Sequence, residues 1–349
     1  MQTLFENRSV TQPIAGYNTV FVFRRPFFMQ LILAPMQGLT DSVMRDLLTR
    51  IGGFDECVSE FVRITHTVHS RQTWLKYAPE IANGNRTFTG VPCTVQLLGS
   101  DAENMAVNAL EAVRFGVDKI DLNFGCPAPT VNKHQGGAVL LKEPERVYQI
   151  VKTLRAALPG HIPLTGKMRL GFEDKSLALE NACAIAEGGA CALTVHARTK
   201  VEGYEPPAHW AWVRKIRDAV AIPVTANGDV FTLEDYLGIK RESGCDSVML
   251  GRGAVMRPDL ARQIQQYERG EAVAAADFNE VMGWIRLFFD LCLEKEANNK
   301  YPVARLKQWL GMLKKVYPQA QDVFDSVRTL KDNHDVRQAL NDFRVTRAS

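Results

Sequence analysis

No stretch of the chain approaches the about 20 consecutive apolar residues of a membrane span, so an α-helical anchor is excluded. The seven cysteines are odd in number and scattered, with no C-x-x-C and no paired ligand spacing, which argues against a disulfide scaffold and against a metal site. Free thiols in a reducing cytoplasm are expected. A G-x-G-x-x-G dinucleotide fingerprint is missing. Charge of one sign is scarce as well: the net charge of +3 is too small to imply nucleic acid by itself, so any RNA-binding surface has to be local. What remains is an ordinary globular composition, 46% hydrophobic and 23% charged over 349 residues, enough for two domains or for one large barrel with an appendage.

Residues 1–28 show neither helical nor strand period and are expected to be disordered or to lie upstream of the true start. Their aromatic segment Val20 to Phe28 is interrupted by Arg24, Arg25 and Pro26 and makes a poor signal peptide. From Leu31 short apolar runs alternate with helical stretches. Eight strands are expected: Leu31 to Ala34, Cys57 to Glu60, Thr94 to Leu97, Lys119 to Asn123, Leu164 to Met168, Ala192 to His196, Val224 to Asn227 and Ser247 to Gly251. Helical segments such as Ser42 to Arg50, Ala102 to Phe115, Pro144 to Leu158 and Leu233 to Ser243 separate most of them. Ordered βα units in this number predict an α/β fold, a (β/α)8 TIM barrel over residues 29–270, with a doubly wound open sheet as the alternative. After Gly270 only helical patterns follow, so residues 271–349 are expected to form a C-terminal all-helical domain. Its segment Ala297 to Gln321 contains no acid but holds Lys300, Arg305, Lys307, Lys314 and Lys315. A solvated face and an RNA-binding surface both explain that charge.

The stretch Lys119 to Lys142 carries the chemistry. Ile120 and Leu122 alternate with polar neighbours as in a short strand, Gly125 breaks it, and Cys126 is presented at the corner, followed by the stiffening Pro127 and Pro129. A buried structural thiol is the plain alternative. In a barrel, the C-terminal strand ends meet at one mouth, and here they read Pro35-Met36-Gln37-Gly38, Glu60 with Arg63, Gln96, Asn123 with Cys126, Lys167 with Arg169, His196 with Arg198, Asn227-Gly228-Asp229 and Gly251-Arg252-Gly253. So many polar residues at strand ends point to a functional mouth. The glycine turns after strands seven and eight suit a phosphorylated ligand. Lys167, in G-K-M-R-L-G, can stabilise a developing anion or form a Schiff base.

The run from Asp121 through N-x-G-C-P to Gly137-Ala138 resembles the signature of the tRNA-dihydrouridine synthases, and the resemblance extends from about Met29 to the C-terminus. It implies FMN as cofactor and NADPH, or NADH, as reductant. It places Ala34 to Gly38, with Pro35, Met36 and Gln37, against the flavin ring, and it puts Gln96, Lys167 and His196 in contact with the flavin. The turns Asn227, Gly228, Asp229 and Gly251, Arg252 grip the phosphate, and Asn123 and Arg169 lie close to the target uracil. The chemistry accounts for the thiol: a hydride from flavin N5 to uracil C6 leaves enolate character that needs a proton at C5, and a thiol with an ordinary pKa of about 8.5 supplies it. Cys126 is then a general acid. The run Val303 to Leu310, V-A-R-L-K-Q-W-L, resembles the C subfamily, which acts on uridine 16 of the D-loop, and by that pattern Arg63, Arg305, Lys307 and Arg328 contact the tRNA. The expected protein is a cytoplasmic, metal-free monomer that binds tRNA. Three other readings stay open: an FMN barrel dehydrogenase acting on a free pyrimidine of the dihydroorotate type, a Schiff-base aldolase using Lys167, and a non-catalytic RNA-binding protein.

Overall fold

The computed structural model describes residues 29–298 and 300–344, so the 1–28 extension lies outside the described residues. In chain order the elements are β1 (Leu31–Leu33), α1 (Ser42–Ile51), β2 (Glu56–Val58), β3 (Val62–Arg63), α2 (Arg71–Tyr77), β4 (Cys93–Leu98), α3 (Ala102–Arg114), β5 (Ile120–Phe124), α4 (Pro129–Lys133), α5 (Pro144–Ala157), β6 (Leu164–Arg169) and α6 (Ala178–Glu187). They continue with β7 (Ala192–His196), α7 (Trp210–Ala219), β8 (Val224–Asn227), α8 (Leu233–Ser243), β9 (Ser247–Leu250), α9 (Arg252–Met256), α10 (Leu260–Glu268), α11 (Phe278–Glu296), α12 (Tyr301–Leu313), α13 (Gln319–Val327) and α14 (Asn333–Asp342).

All strand pairings are parallel in the order β2-β1-β9-β8-β7-β6-β5-β4-β3, and a β2–β4 pairing closes the sheet into a barrel. β2 and β3 act as one interrupted strand. Both pair with β4, and between Val58 and Val62 the three residues Ser59 to Phe61 face only two, Val95 and Gln96. The extra residue behaves as a bulge, which re-aims a side chain. This differs from the single strand expected over Cys57 to Glu60. The expected helices are present with ends within three residues of those expected, and Leu233–Ser243 matches at both ends. Helix α7 was not legible because His209 at its start gives no side-chain cap and its first turn holds no acid. Among the described residues no helix is long and apolar enough to cross a membrane.

The strands alternate in a way that builds the site. Val95, Leu97, Ile120, Leu122, Leu164, Met168, Leu193, Val195, Val224, Ala226, Val248 and Leu250 point outward into the main core beneath the helices. The opposite register on β4 to β8 carries Thr94, Gln96, Asp121, Asn123, Thr165, Lys167, Thr194, His196, Thr225 and Asn227. On β1, β2 and β9 that register holds the polar Glu56 and Ser247 at the strand starts, while Ile32, Ala34, Val58 and Met249 form a separate buried apolar cluster. The lumen therefore has one polar half and one apolar half. Several helix starts are fixed by side chains: Asp41 accepts Met44 N–H at 3.1 Å for α1, Asp277 accepts Glu280 N–H for α11, and Thr232 with Asp235 forms a capping box for α8.

Candidate functional site

A cavity of about 540 Å³ opens at the C-terminal strand ends, within the range of small-molecule sites. Its lining combines Ala34, Pro35, Met36, Leu39 and Met249 on the apolar side with Lys167, Arg169, His196, Asn227, Asp229 and Arg252 on the polar side. Gln37, Asn123, Cys126, Gly228 and Gly251 line it as well. Thirteen expected positions from six strand ends thus converge on one volume.

Cys126 is positioned from below. Asn123 Oδ1 accepts the N–H groups of Gly125 at 2.9 Å and Cys126 at 2.8 Å, so the strand-end asparagine shapes the corner that carries the thiol. Burial pushes the thiol pKa up, against smaller opposing effects of the Ala128 N–H and Arg169. The group therefore keeps its proton at neutral pH. Arg169 fastens the surrounding loops: Nε donates to Gly125 O at 2.9 Å, and Nη1 donates to Thr199 O and Gly203 O, both at 3.0 Å. Tyr204 stands over this arginine at 5.2 Å and over Arg252 at 4.5 Å, and it lines the cavity while half its surface is exposed. Sequence reasoning missed Tyr204 and Phe61, because neither lies at a strand end: Tyr204 stands in the long loop after β7 and Phe61 in the bulge between β2 and β3.

Lys167 sits deep in the cavity, where its ammonium donates to Asn227 Oδ1 at 2.9 Å. Burial, and then Arg169, lower its pKa to about 8, with Asp121 opposing. Asn227 is itself fixed, donating to Met249 O at 2.7 Å. His196 is kept neutral, its pKa held well below the ordinary range by burial and then by Arg169, Lys167, Arg198 and Arg252. Its Nε2 is buried without a hydrogen-bond partner while the ring lines the cavity. A buried polar nitrogen left unpaired in this way suits a hydrogen-bonding ligand atom. Asp229 pairs with Arg198 and, at 3.6 Å, with Arg252. Gly228 at φ +129° turns the backbone in a way that disfavours any side chain.

The other five expected positions lie outside this cavity. Gln96 does not line the cavity: it is fully buried, its Nε2 donating to Asp121 Oδ2 and its Oε1 accepting from Asn123 Nδ2, both at 2.7 Å. Arg305, expected to meet RNA, is only 7% exposed because its guanidinium donates to Gly38 O, Leu39 O and Asp41. Lys307 donates to Arg328 O and Leu330 O and so closes the C-terminal end of α13. Arg63 lies half-buried on β3, away from the cavity lining. Arg328 has 63% of its side chain exposed.

Histamine dehydrogenase from Rhizobium sp. 4-9 overlays 76% of this chain and 48% of its own at a TM-score of 0.50 and 14% identity, a likeness of fold alone. A protein of Neisseria meningitidis serogroup A named tRNA-dihydrouridine(16) synthase is 78% identical over 90% of this chain and 94% of its own length. One of the same name from Aquipseudomonas alcaligenes is 51% identical over 89% of this chain and 99% of its own. The sequence model described as Dihydrouridine synthase (Dus) matches residues 32–346, and the chain belongs to that family.

Proposed function

We infer that this protein reduces uridine 16 of tRNA to 5,6-dihydrouridine, using a flavin held in the barrel mouth. Family membership and the names of relatives at 78% and 51% identity support the reaction and the position. The observation that carries the mechanism is the protonated thiol of Cys126 on the wall of a cavity whose other side is apolar.

FMN fits this cavity. The unpaired His196 Nε2 would give the ring a polar contact, and Lys167 would give it a cation. Ala34, Pro35, Met36 and Met249 give a surface for a flat ring. The backbone of Gly228-Asp229 and Gly251-Arg252, with the Arg252 guanidinium, suits the phosphate. The chemistry supplied by the reduced cofactor when bound is hydride transfer to uracil C6. Cys126 Sγ–H gives its proton to C5, leaving a thiolate that recovers a proton from water at the mouth. Asn123 keeps the Cys126 corner in place, and Arg169 holds Gly125 and the Tyr204 loop around the uracil. NADPH, or NADH, is the reductant and docks at the same mouth.

A uridine in folded tRNA must leave its stack to enter such a mouth, so another surface has to hold the RNA. The helical part from residue 271 does this with its exposed cations Lys300, Lys314, Lys315, Arg328 and Lys331. The test is incubation of the purified protein with NADPH and unmodified tRNA, followed by mass-spectrometric mapping. A uridine heavier by two hydrogens at position 16, in a protein with a flavin spectrum, is the expected result. Reduction at another position only, or none in any tRNA, overturns the assignment.

A further inference from the structure

The helix that the sequence marks as basic reaches the flavin cavity from behind. Arg305 on α12 donates through Nη1 to Gly38 O at 2.9 Å and through Nη2 to Leu39 O at 2.8 Å. Gln308, one turn on, donates to the same Gly38 O at 3.0 Å. Gly38 is held from the opposite side as well, its N–H donating to Glu60 Oε1 at 2.5 Å. These two carbonyls belong to the turn after β1 whose residues Pro35, Met36, Gln37 and Leu39 form one wall of the cavity. The fourth residue on from Arg305, the fully buried Trp309, donates its indole N–H to Val255 O at 2.9 Å in α9, the helix that follows the Gly251 turn. One helix face therefore touches the supports of two cavity walls.

The charge of Arg305 is balanced locally. Asp41 lies 3.2 Å from Nη2 and also receives the Tyr301 hydroxyl at 2.6 Å, while Lys295 stands 3.9 Å away. The same carboxylate starts α1. A planar guanidinium that serves two adjacent carbonyls and one carboxylate fixes their relative positions in a way a single ammonium does not.

We propose that Arg305 is a positioning residue for the flavin site, and that α12, through Arg305 and Gln308, sets the turn after β1 at the height the flavin ring requires. This rests on the flavin reading above. The helical part is then a brace for the cofactor site as well as a platform for RNA, and Arg305 acts on the cofactor side of that division.

The experiment uses full-length Arg305→Gln, Arg305→Lys and Gln308→Ala beside the wild type. FMN affinity is read by quenching of flavin fluorescence, the bound flavin by its visible spectrum, and tRNA affinity by filter binding at saturating FMN. Arg305→Gln is expected to weaken FMN binding by about tenfold or more and to shift the visible band, with tRNA affinity kept within about twofold. Arg305→Lys recovers part of the loss, because it can serve one carbonyl. Gln308→Ala, which removes an exposed amide, weakens FMN binding by about two- to threefold. An Arg305→Gln protein with unchanged FMN affinity and spectrum overturns the proposal, and so does one that loses tRNA affinity alone, which would make Arg305 an RNA contact. Should Arg305→Gln not fold, unchanged FMN affinity in Gln308→Ala overturns it instead. A wild-type protein that takes up no FMN fails at an earlier step and overturns the flavin reading itself.

Discussion

Asn123 and Gln96 are joined amide to amide, Asn123 Nδ2 donating to Gln96 Oε1 at 2.7 Å, and this bond decides what the rest of Asn123 can do. With its amino group engaged below, the asparagine turns its oxygen upward to the N–H groups of Gly125 and Cys126. Gln96 is oriented in turn by Asp121, which also accepts from Thr165 Oγ1 at 2.6 Å. A buried polar chain thus runs from Thr165 to the backbone of the candidate acid. Asn123→Ala should remove three hydrogen bonds, two accepted by Oδ1 and one donated by Nδ2, cost about 1–3 kcal/mol in unfolding experiments, and slow reduction of tRNA more than it weakens FMN binding. Unchanged turnover would mean that the corner holds its shape without the asparagine.

Removing the thiol tests chemistry with little change of structure. Cys126→Ala should lower the rate of uridine reduction by about 10²- to 10⁴-fold while FMN and tRNA still bind, as expected for a lost general acid. Because burial pushes the thiol pKa up, the wild-type rate of the chemical step should stay level through neutral pH and fall only above the ordinary thiol range. Single-turnover oxidation of the bound, reduced flavin by tRNA across pH measures this, and a decline beginning below neutrality would point to a different acid.

The parts legible in the sequence were those that depend on local pattern. Strand alternation placed Lys167, His196 and Asn227 on the same side of their strands, and the Gly-Cys-Pro corner announced Cys126. Contacts between distant segments were not legible. Arg305 reads as one more cation of an acid-free run, and only the packing of α12 against the turn after β1, more than 260 residues earlier, shows that it is buried and occupied. Gln96 shares the inward register of the cavity residues but lies lower in the barrel, and strand period gives the side a residue faces without giving its depth. Tyr204 was hidden for a third reason, since the 13 residues between His196 and Trp210 carry no periodic signal, and their course is set by Arg169, Arg198 and the Glu202 carboxylate.

Lys167 makes stability and cofactor affinity respond to pH in opposite senses. Its folded pKa is about 8, against an ordinary value of about 10.4 in an unfolded chain. Between those values the unfolded chain holds a proton that the folded one has lost, so this residue's contribution to the stability of flavin-free protein should rise as pH climbs from about 8 to about 10. Relative to Lys167→Met, the wild-type melting temperature should therefore improve over that window. On the flavin reading proposed above, FMN affinity should weaken over the same window, because a cation lining the cavity is being lost. Parallel melting and fluorescence titrations read both, and matching slopes for wild type and Lys167→Met would assign the titration to another group.

Gly253 fixes how closely the turns after β8 and β9 approach. A Cβ at this position would lie 1.9 Å from Val230 O and 3.0 Å from Phe231 Cα, both backbone atoms that cannot rotate aside. Gly253→Ala must therefore separate the start of α9 from the turn that follows Gly228 and Asp229. The expected cost is about 2–4 kcal/mol of stability, together with loss of FMN binding by about tenfold or more. Gly283→Ala is the matched control: it lies within α11, its added methyl meets no atom within 4 Å, and it should leave FMN binding unchanged and add about 0.5–1 kcal/mol of stability. Chemical denaturation of both variants, with and without FMN, separates the two effects. A Gly253→Ala protein that binds FMN as tightly as the wild type would mean that the spacing of these two turns does not govern cofactor binding.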